Sequence, residues 1–447
     1  MARVLPAPGR PEDVLAHVGP GADAILPLAN GEPVGLLDVL ERAADRLDGV
    51  RVHQMHALHE RPYIHGAFGD RLRHVSYFLS AATREAFWEG CCDLVPNHFS
   101  EMPSLLRATT RHPIVLAAAS PPDRAGYFSL GTNADYVASL IGTVPFFLEV
   151  NHRMPRTLGL NQIHASQVLG YCETDRPLVE VPPAEPDDRD RAIAAAIVER
   201  IPDGATLQVG IGGIPNAVLA ALREHRDLGI HTELLADGIV DLVERGVATG
   251  VRKQLRRNKI EATFCLGTQR LYDWLDDNGA VELLPVDLVN DPRRIAREPD
   301  FISINATTEV DLFGQCASET IAGRYWSSSG GQADFARGAM YSERGQAFIV
   351  LHSTTRSGRS RIRVRLTEGS VVTTLKNTVD NVVTEWGIAQ LRGRSLAQRA
   401  EALIAIAHPD HREELEREAV EARVPRRGPR TAQAPTQRRV HATAPSG

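Results

Sequence analysis

Residues 205–225 read ATLQVGIGGIPNAVLAALREH, and this stretch decides the fold class. Its first part, ATLQVGIG, is typical of a buried strand, GIP is a glycine-rich turn, and NAVLAALREH has the apolar spacing of a helix. Units in which a strand passes through a short turn into a helix build layered folds with mostly parallel sheets. We therefore expect an α/β protein.

The same alternation of strands and helices extends along the chain in both directions. Towards the amino terminus, strands are predicted at PIVLAAAS (Pro113–Ser120) and TVPFFLEV (Thr143–Val150), and PVGLLDVLERAADRL is typical of a helix. Towards the carboxyl terminus, TTRSGRSRI predicts a hairpin turn, and SLAQRAEALIAIA and HREELEREAVEA predict helices. Further strands are predicted at Ala262–Gly267, Phe301–Ala306, Gln346–Thr354, Arg361–Leu366 and Ser370–Leu375.

Chain length and composition indicate two domains. The 447 residues are 43% hydrophobic, which allows a sizeable core and is more typical of two domains than of one. The segment VEVPPAEPDDRDRA is rich in proline and acidic residues and has the character of a linker, with Asp187 or Asp188 as the N-cap of the next helix. We predict a domain over residues 1–180, a second over 181–424, and a disordered tail over 425–447.

Charge and hydropathy exclude several classes of partner. A net charge of -6 offers no general attraction to nucleic acid or to anionic lipid, so we expect neither as a partner. No run of about 18 apolar residues predicts a membrane helix, and the expected location is cytoplasmic. The 5 cysteines lack the paired CxxC spacing of a zinc site, so we expect reduced thiols and no metal.

The glycine-rich turn has three interpretations. Gly210, Gly212 and Gly213 lie where a strand gives way to a helix, so a ligand can approach their backbone and an anion can meet the helix N-terminus. A nicotinamide site is a weaker interpretation, because Pro215 occupies the place of the third glycine of that fingerprint. A purely structural tight turn is the third.

A second stretch, INATTEVDLFGQCASE from Ile304, carries acidic residues within an apparent strand. If the strand persists, Glu309 and Asp311 face the same way as the polar residues before them. The pair could serve acid/base chemistry or bind a metal, or it could belong to a solvated strand face. The loop that follows favours a ligand, as does SSSGGQADFARGA, where Gly330 and Gly331 can bring backbone amides close to a substrate.

Taken in order, these stretches resemble the acetyl-CoA hydrolase/transferase family, and in particular its 4-hydroxybutyrate or butyrate CoA-transferase branch. The resemblance covers about residues 20 to 420. It implies two layered α/β domains of the NagB/RpiA/CoA-transferase-like type with mostly parallel sheets. Besides LQVGIGGIPNAVLAAL, INATTEVDLFGQCASE and SSGGQADFARGAMYS, the blocks that carry it include PNHFSEMP, SPPDRAGYFSLG, VNHRMPRTLG, IHASQVLGYCETDRPL, HTELLADGIVDLVERGV, PVDLVNDP and VVTEWGIAQLRGRSLAQRAEALIAIAHPDHREEL.

The resemblance also implies an activity and a set of site residues. It implies transfer of CoA from a short-chain acyl-CoA to a carboxylate such as acetate, by ping-pong kinetics through a glutamyl-CoA thioester on Glu309. An acyl-CoA hydrolase that uses the same glutamate is the alternative. No cofactor beyond CoA as substrate is implied, and relatives suggest a homodimer. The implied CoA-binding residues are Val286, Asp287, Leu288, Val289, Asn290 and Gly387.

Two further sets of residues lie within the blocks of the resemblance. Arg293 and Arg294 follow the VDLVN segment and could meet the phosphates of CoA, although exposed arginines more often serve solubility. His98, His152 and His231 also lie in these blocks, but a carboxylate nucleophile needs no imidazole. We expect these histidines to form structural hydrogen bonds.

Overall fold

The amino-terminal half of the chain forms one parallel sheet. The computed structural model describes residues 7–425, so the predicted tail lies outside the described residues except for its first position. All six strand pairings in this sheet are parallel. Across the sheet the seven strands are Asp93–Leu94, Leu72–Ser76, Val50–Gln54, Asp23–Ile25, Pro113–Ala119, Phe146–Asn151 and Val168–Thr174.

The carboxy-terminal half forms a second sheet of six strands, parallel except at one edge. Across the sheet these are Gly229–Ile230, Thr206–Val209, Phe301–Ala306, Gln346–Val350, Asn381–Thr384 and Gly387–Gln390. A small sheet of three strands lies beside it: Cys316–Ala317, Glu309–Asp311 and Ile362–Arg363. Four two-stranded pairs complete the strands: Tyr127–Ser129 with Gln162–His164, Leu234–Leu235 with Phe264–Cys265, Ile260–Ala262 with Val281–Leu283, and Thr320–Ile321 with Arg324–Tyr325.

Helices connect and cover the strands. The α-helices span Val34–Arg42, Ala81–Trp88, Met102–Thr109, Asp188–Val198, Gly213–Ala221, Asp237–Glu244, Gln269–Leu275, Val286–Val289, Pro292–Ile295, Gln332–Tyr341, Leu396–Ala405 and Pro409–Glu421. Short 3-10 turns lie at Pro11–Ala16, Ala29–Gly31, Ala44–Arg46, Gly69–Arg71, Phe99–Glu101, Ala138–Leu140, Ala165–Gln167 and Leu222–Glu224. The predicted N-cap is confirmed at Asp187, whose side chain accepts a hydrogen bond from the Asp190 amide.

The predicted α/β class with mostly parallel sheets is confirmed, and so is the predicted strand Phe301–Ala306, but the predicted strand at Ser370–Leu375 is wrong. Ser370–Leu375 forms no strand and contributes only an isolated bridge from Thr374, because its backbone packs as a loop against the small sheet. The strand from Phe301 does not continue to Asp311. It ends at Ala306, and the hydroxyls of the two threonines that follow donate to the Ala317 carbonyl and turn the chain.

The core joins the two sheets. The largest cluster of buried apolar side chains contains members of both halves, among them Ile25 and Val115 from one sheet and Leu207 and Ile304 from the other. The division near residue 180 into separate domains stays a prediction. All five cysteines are free thiols, four of them buried. Within residues 7–425, no helix combines the length and the apolar character needed to span a membrane.

Candidate active site

A cavity of about 270 Å³ lies between the two halves, at the carboxyl ends of their parallel strands. The amino-terminal half contributes mostly apolar side chains: Leu28, Met55, His56, Phe78 and Phe99. The carboxy-terminal half contributes the main polar groups: Gln208, Glu233, Asn305 and Gln332. Ligand sites of α/β proteins favour this edge of a parallel sheet and the space between packed units. The cavity is therefore the candidate site for chemistry.

Glu233 is the acidic side chain that lines this cavity. It follows the Gly229–Ile230 strand, and its backbone carbonyl accepts hydrogen bonds from the amides of Thr263 and Phe264, which fixes its place. Its carboxylate accepts a hydrogen bond of 2.7 Å from Asn290 Nδ2 and another from the backbone N–H of Gly331. The residue is half-buried and lines the cavity. A substrate in the cavity would meet this carboxylate.

The electrostatics of Glu233 differ from those of an ordinary carboxylate. Burial raises its pKa to about 7, and the nearby carboxylate of Asp334 also raises it, while the hydrogen bonds from Asn290 and Gly331 lower it. Burial likewise raises the pKa of Asp334 to about 6, although Ser100 donates to it from both its amide and its hydroxyl. A glutamate with a pKa near neutrality in a cavity is a functional candidate.

Several residues that the sequence singled out converge on Glu233. Asn290, at the end of the predicted CoA-binding segment, donates to its carboxylate. Gly331 packs against both partners, because a Cβ there would overlap Glu233 Oε2 and Asn290 Nδ2 and would displace them. Gly330 lies just before it, against Phe78 and near Glu233 Oε1. Gly210 lines the same cavity at the end of its strand.

Glu309 lies elsewhere, in the small sheet. Its carboxylate accepts three hydrogen bonds: from the Thr367 amide at 2.9 Å, from the Thr367 hydroxyl at 2.7 Å and from the Ser370 hydroxyl at 2.8 Å. Arg363 Nε lies 3.8 Å away. These partners all belong to the carboxy-terminal half. Among the described residues, Glu309 therefore has the contacts of a carboxylate that holds a loop in place.

Asp311 shares the strand of Glu309 but shapes a different loop. Its carboxylate accepts from the amides of Phe313 and Gln315, both at 3.0 Å, and from Gln315 Nε2 at 2.7 Å. These contacts close the tight turn that leads into the Cys316–Ala317 strand. The carboxylates of Glu309 and Asp311 therefore bind different loops and do not line a common ligand site.

The remaining predicted site residues take other places. Gly212 is the N-cap of the Gly213–Ala221 helix, and Gly213 packs against the Asp190 carboxylate, where a Cβ would not fit. Gly387 begins the edge strand of the second sheet, with Ile406 as its near neighbour. Val286, Leu288 and Val289 belong to a helical turn in which Val286 and Val289 are buried, while Asp287 faces a separate cleft.

That cleft, of about 600 Å³, lies on the other side of the Gln332–Tyr341 helix from the cavity. Three arginines line it: Arg107, Arg293 and Arg337. Four carboxylates line it too: Glu101, Asp287, Asp291 and Asp334. Arg293 pairs with Asp291 at 3.0 Å, so part of this acidic charge is already neutralised. The cleft and the cavity are adjacent. Asp334 lines the cleft, and Gln332 and Phe335, which are close to it in the same helix, line the cavity.

The sequence interpretation missed Glu233, which lies within the block HTELLADG. Its strand is only two residues long, so no alternating pattern marks it. A signal was nevertheless present, because an acidic residue a few positions after a strand, at the carboxyl edge of a parallel sheet, is a position where ligands bind. Of the histidines, His231 is fully buried, and its Nε2 donates to the Val289 carbonyl at 2.7 Å, as expected of a structural histidine.

Two other side-chain clusters carry metal-ligand atom types: Asp187, Asp190 and His352, and His231, Glu261 and Glu298. In the first, the carboxylate of Asp190 already pairs with His352 at 2.7 Å. In the second, Lys253 and Arg294 neutralise Glu261. The hydrogen bonds within each cluster account for its arrangement without an ion.

Comparison with known proteins shows which family the chain resembles over most of its length. The family model for the acetyl-CoA hydrolase/transferase N-terminal domain matches residues 11–181, and that for the C-terminal domain matches residues 267–419. A succinyl-CoA:cyclohexane-1-carboxylate CoA transferase from Geobacter metallireducens is 43% identical over 91% of this chain and 93% of its own length. A 4-hydroxybutyrate coenzyme A transferase from Clostridium kluyveri is 42% identical over 87% of this chain and 91% of its own length.

The fold is also similar to a solved structure. The crystal structure of a 4-hydroxybutyrate CoA-transferase from Porphyromonas gingivalis aligns with a TM-score of 0.76 and 35% identity, covering 92% of this chain and 96% of that chain. The predicted CoA-transferase-like type of α/β fold is confirmed by this alignment.

Proposed function

The chain belongs to the acetyl-CoA hydrolase/transferase family, and from that premise we propose that it moves CoA from a short-chain acyl-CoA to a carboxylate acceptor. The acyl group and acceptor that we propose are of the acetyl, butyryl or 4-hydroxybutyryl type. The observation that carries the proposal is a glutamate with a pKa near 7 on the wall of a cavity between the two halves. A homodimer and a cytoplasmic location stay predictions.

The proposed chemistry runs through two covalent species on one glutamate. Its carboxylate oxygen attacks the thioester carbonyl and expels CoA thiolate, which leaves a mixed anhydride. The thiolate then attacks the glutamyl carbonyl of this anhydride, releases the donor's acid and forms a glutamyl-CoA thioester. An acceptor carboxylate reverses the two steps and leaves with CoA. The chemistry requires no metal and no cofactor beyond CoA as substrate.

The nucleophile in this proposal has two candidates. Resemblance implies Glu309, whereas geometry favours Glu233, because its carboxylate faces the cavity. Each of the three donors on Glu309 stabilises the ionised form and would have to be released before attack. A carboxylate near its pKa at neutral pH, with little solvation, is also the more reactive one.

Backbone amides would stabilise the oxyanion of each tetrahedral intermediate. Gly210 and Ile211 present their backbone at the cavity, beside the start of a helix. The side-chain amides of Gln208 and Asn305 are less suitable, because each bonds the other, at 2.9 Å and 3.2 Å. The loss of one oxyanion donor typically lowers the rate about 100-fold to 1000-fold. Gly387, which the resemblance implied as a CoA-binding residue, lies at the opposite edge of the sheet from Gly229–Ile230.

The adjoining cleft is the proposed position for the nucleotide end of CoA. Arg107 and Arg337 could meet its phosphates, and Arg293 could do so if it leaves Asp291. Arg294 is less suited to this role because it pairs with the buried carboxylate of Glu261. The sequence hypothesis of a phosphate contact at Arg293 therefore stays open, and that at Arg294 is disfavoured.

Intact-mass analysis tests the proposal and identifies the nucleophile. The protein is incubated with short acyl-CoAs and then with sodium borohydride, which reduces a glutamyl-CoA thioester to an alcohol with a loss of about 14 mass units. We expect the loss in the peptide of Glu233, absent in Glu233→Gln and retained in Glu309→Gln. Loss at Glu309 would assign the nucleophile there. No loss with any acyl-CoA would contradict the proposed function.

The same experiment separates transferase from hydrolase. If water resolves the intermediate, free thiol appears continuously without any carboxylate acceptor. If the protein is a transferase, thiol release without an acceptor stays slow, and added acetate yields acetyl-CoA instead. We expect the second result.

A further inference from the structure

A hairpin that we call the clasp (residues 319–328) reaches from the carboxy-terminal half to the amino-terminal half. Its strands, Thr320–Ile321 and Arg324–Tyr325, pair antiparallel across Ala322 and Gly323. Both turn residues have positive φ, 50° and 77°, as a two-residue type I′ turn requires. The Glu319 carbonyl accepts from the amide of Trp326 at 2.7 Å and closes the base.

The clasp interlocks with the Ala81–Trp88 helix of the amino-terminal half. The Arg84 guanidinium lies 3.7 Å from the ring centre of Trp326, and Arg84 Nε donates to the Trp326 carbonyl at 2.8 Å. In the reverse direction, Arg324 lies 4.2 Å from the ring centre of Trp88, whose Nε1 donates to the Tyr325 carbonyl at 2.9 Å. Each half thus supplies one arginine and one tryptophan, which is a specific contact rather than a chance encounter of surfaces.

The tip of the clasp rests on the loop that Glu309 holds. Gly323 approaches the Glu368 carbonyl so closely that a Cβ would overlap it. Glu368 lies between Thr367 and Ser370, the two residues that donate to the Glu309 carboxylate. Glu309 therefore supports the surface against which the clasp packs, although Glu309 itself does not line the cavity.

The end of the clasp leads directly into the cavity. Two residues beyond it, the Gly330 carbonyl accepts from the Phe99 amide of the amino-terminal half at 3.2 Å. The next amide, that of Gly331, donates to the Glu233 carboxylate. Three residues later Asp334 is fastened to Ser100 of the same half. The segment that carries a donor to Glu233 is thus tied to the amino-terminal half on both sides.

We propose that the clasp, by tying the two halves together beside the cavity, limits the access of water to it, and that Arg84 and Trp326 are positioning residues that set how the glutamyl-CoA thioester divides between a carboxylate acceptor and water. The inference rests on the proposed function. In transfer, the acceptor's oxygen forms the new bond to the glutamyl carbonyl and CoA thiolate leaves. In hydrolysis, a water oxygen forms that bond, CoA leaves and takes a proton, and free glutamate remains. Closure of the site disfavours the second path.

The partition between the two paths tests the inference. We measure the ratio of two rates: free-thiol release without an acceptor, and acyl-CoA formation with saturating acetate. The ratio is determined for the wild type, Trp326→Ala, Trp326→Phe and Arg84→Ala. We expect the ratio to rise about fivefold in Trp326→Ala and Arg84→Ala, as expected for the loss of one such contact, and less in Trp326→Phe, which keeps a ring. Tyr127→Ala is the matched control, because Tyr127 is as exposed as Trp326, at 40%, and belongs to a different strand pair, that of Tyr127–Ser129 with Gln162–His164. Its ratio should stay at the wild-type value.

Hydrogen exchange provides a readout that does not depend on activity. The amides of residues 330–335 should exchange faster in Trp326→Ala than in the wild type and the Tyr127→Ala control. An unchanged partition together with unchanged exchange in the folded Trp326→Phe and Trp326→Ala proteins would overturn the inference. If the wild type forms no acyl-CoA from acetate, the proposed function fails. In that case the exchange measurement alone decides whether the clasp holds Gly331 in place.

Discussion

Glu233 and Glu309 each follow a strand of the same sheet by a few residues, yet their surroundings give them opposite properties. Three hydroxyl and amide donors of one neighbouring loop satisfy the Glu309 carboxylate. Within residues 7–425, the Glu233 carboxylate accepts from Asn290 and Gly331 only; it faces a cavity and lies near the buried carboxylate of Asp334. A carboxylate becomes reactive when its ionised form is incompletely stabilised, and it becomes a structural anchor when donors surround it. The comparison shows that the position of a glutamate after a strand does not determine whether its carboxylate is reactive or structural.

The first way to break this comparison is to remove each acid in turn. Glu233→Gln keeps the shape of the side chain but removes the nucleophile, so we expect CoA transfer to fall about 1000-fold or more. Glu309→Gln should retain transfer within about threefold, since it leaves the cavity unchanged. Steady-state rates with acetyl-CoA or butyryl-CoA and an acceptor acid measure both. The reverse ranking would assign the chemistry to the small sheet.

A second change tests the backbone donor to Glu233. In Gly331→Ala the new methyl group must displace the Glu233 carboxylate and the Asn290 amide, so we expect kcat to fall about 100-fold, with a smaller change in KM. Gly358→Ala is a control for loss of a glycine outside the site, because a Cβ there meets nothing, although its φ of 80° leaves some strain. Wild-type kcat in Gly331→Ala would show that the carboxylate does not need this geometry.

A third change sharpens the role of Glu309 as an anchor. Glu309→Ala leaves the amide and hydroxyl of Thr367 and the hydroxyl of Ser370 without their acceptor, so we expect a loss of about 1–3 kcal/mol of unfolding free energy. Chemical denaturation measures this loss. Glu368→Ala, on the same loop but with its side chain outside these hydrogen bonds, is the matched control. Equal stability of the two variants would remove the anchor role.

The sequence predicted the architecture well because the information for it is local. The alternation of strand, glycine turn and helix at residues 205–225 indicates a parallel sheet without knowledge of any distant contact. The site was harder to predict. Glu309 appeared to share a face with Ser303 and Asn305, and this depended on a strand that ends at Ala306. The hydrogen bonds that end it run to Ala317, and nothing in the local pattern marks them.

Glu233 illustrates the same limit from the other side. Asn290 donates to it across 57 positions of the chain, and Gly331 lies still further along the sequence. The resemblance predicted Asn290 as a ligand contact, and the glycine-rich loop predicted Gly330 and Gly331, but neither pointed to the acid that these residues surround. Burial of that acid between two halves of the molecule is a property of the assembled fold.

The last test of the comparison uses pH and stability. The pKa of Glu233 in the folded protein, about 7, lies above its ordinary value of 4.5, so the folded state holds this proton more tightly than the unfolded chain does. This contribution to stability is complete below about pH 4.5 and is lost as the pH rises through about 7. Glu233→Gln has no such proton. We therefore expect its unfolding free energy relative to the wild type to increase by roughly 2 kcal/mol between about pH 5 and about pH 8. Denaturant titrations at the two pH values measure this difference.

The transfer rate of the wild type should rise over the same pH window, because attack needs the ionised form of Glu233. A stability difference that does not change with pH would mean that Glu233 is solvated and ionised like a surface glutamate, and the contrast with Glu309 would then rest on geometry alone.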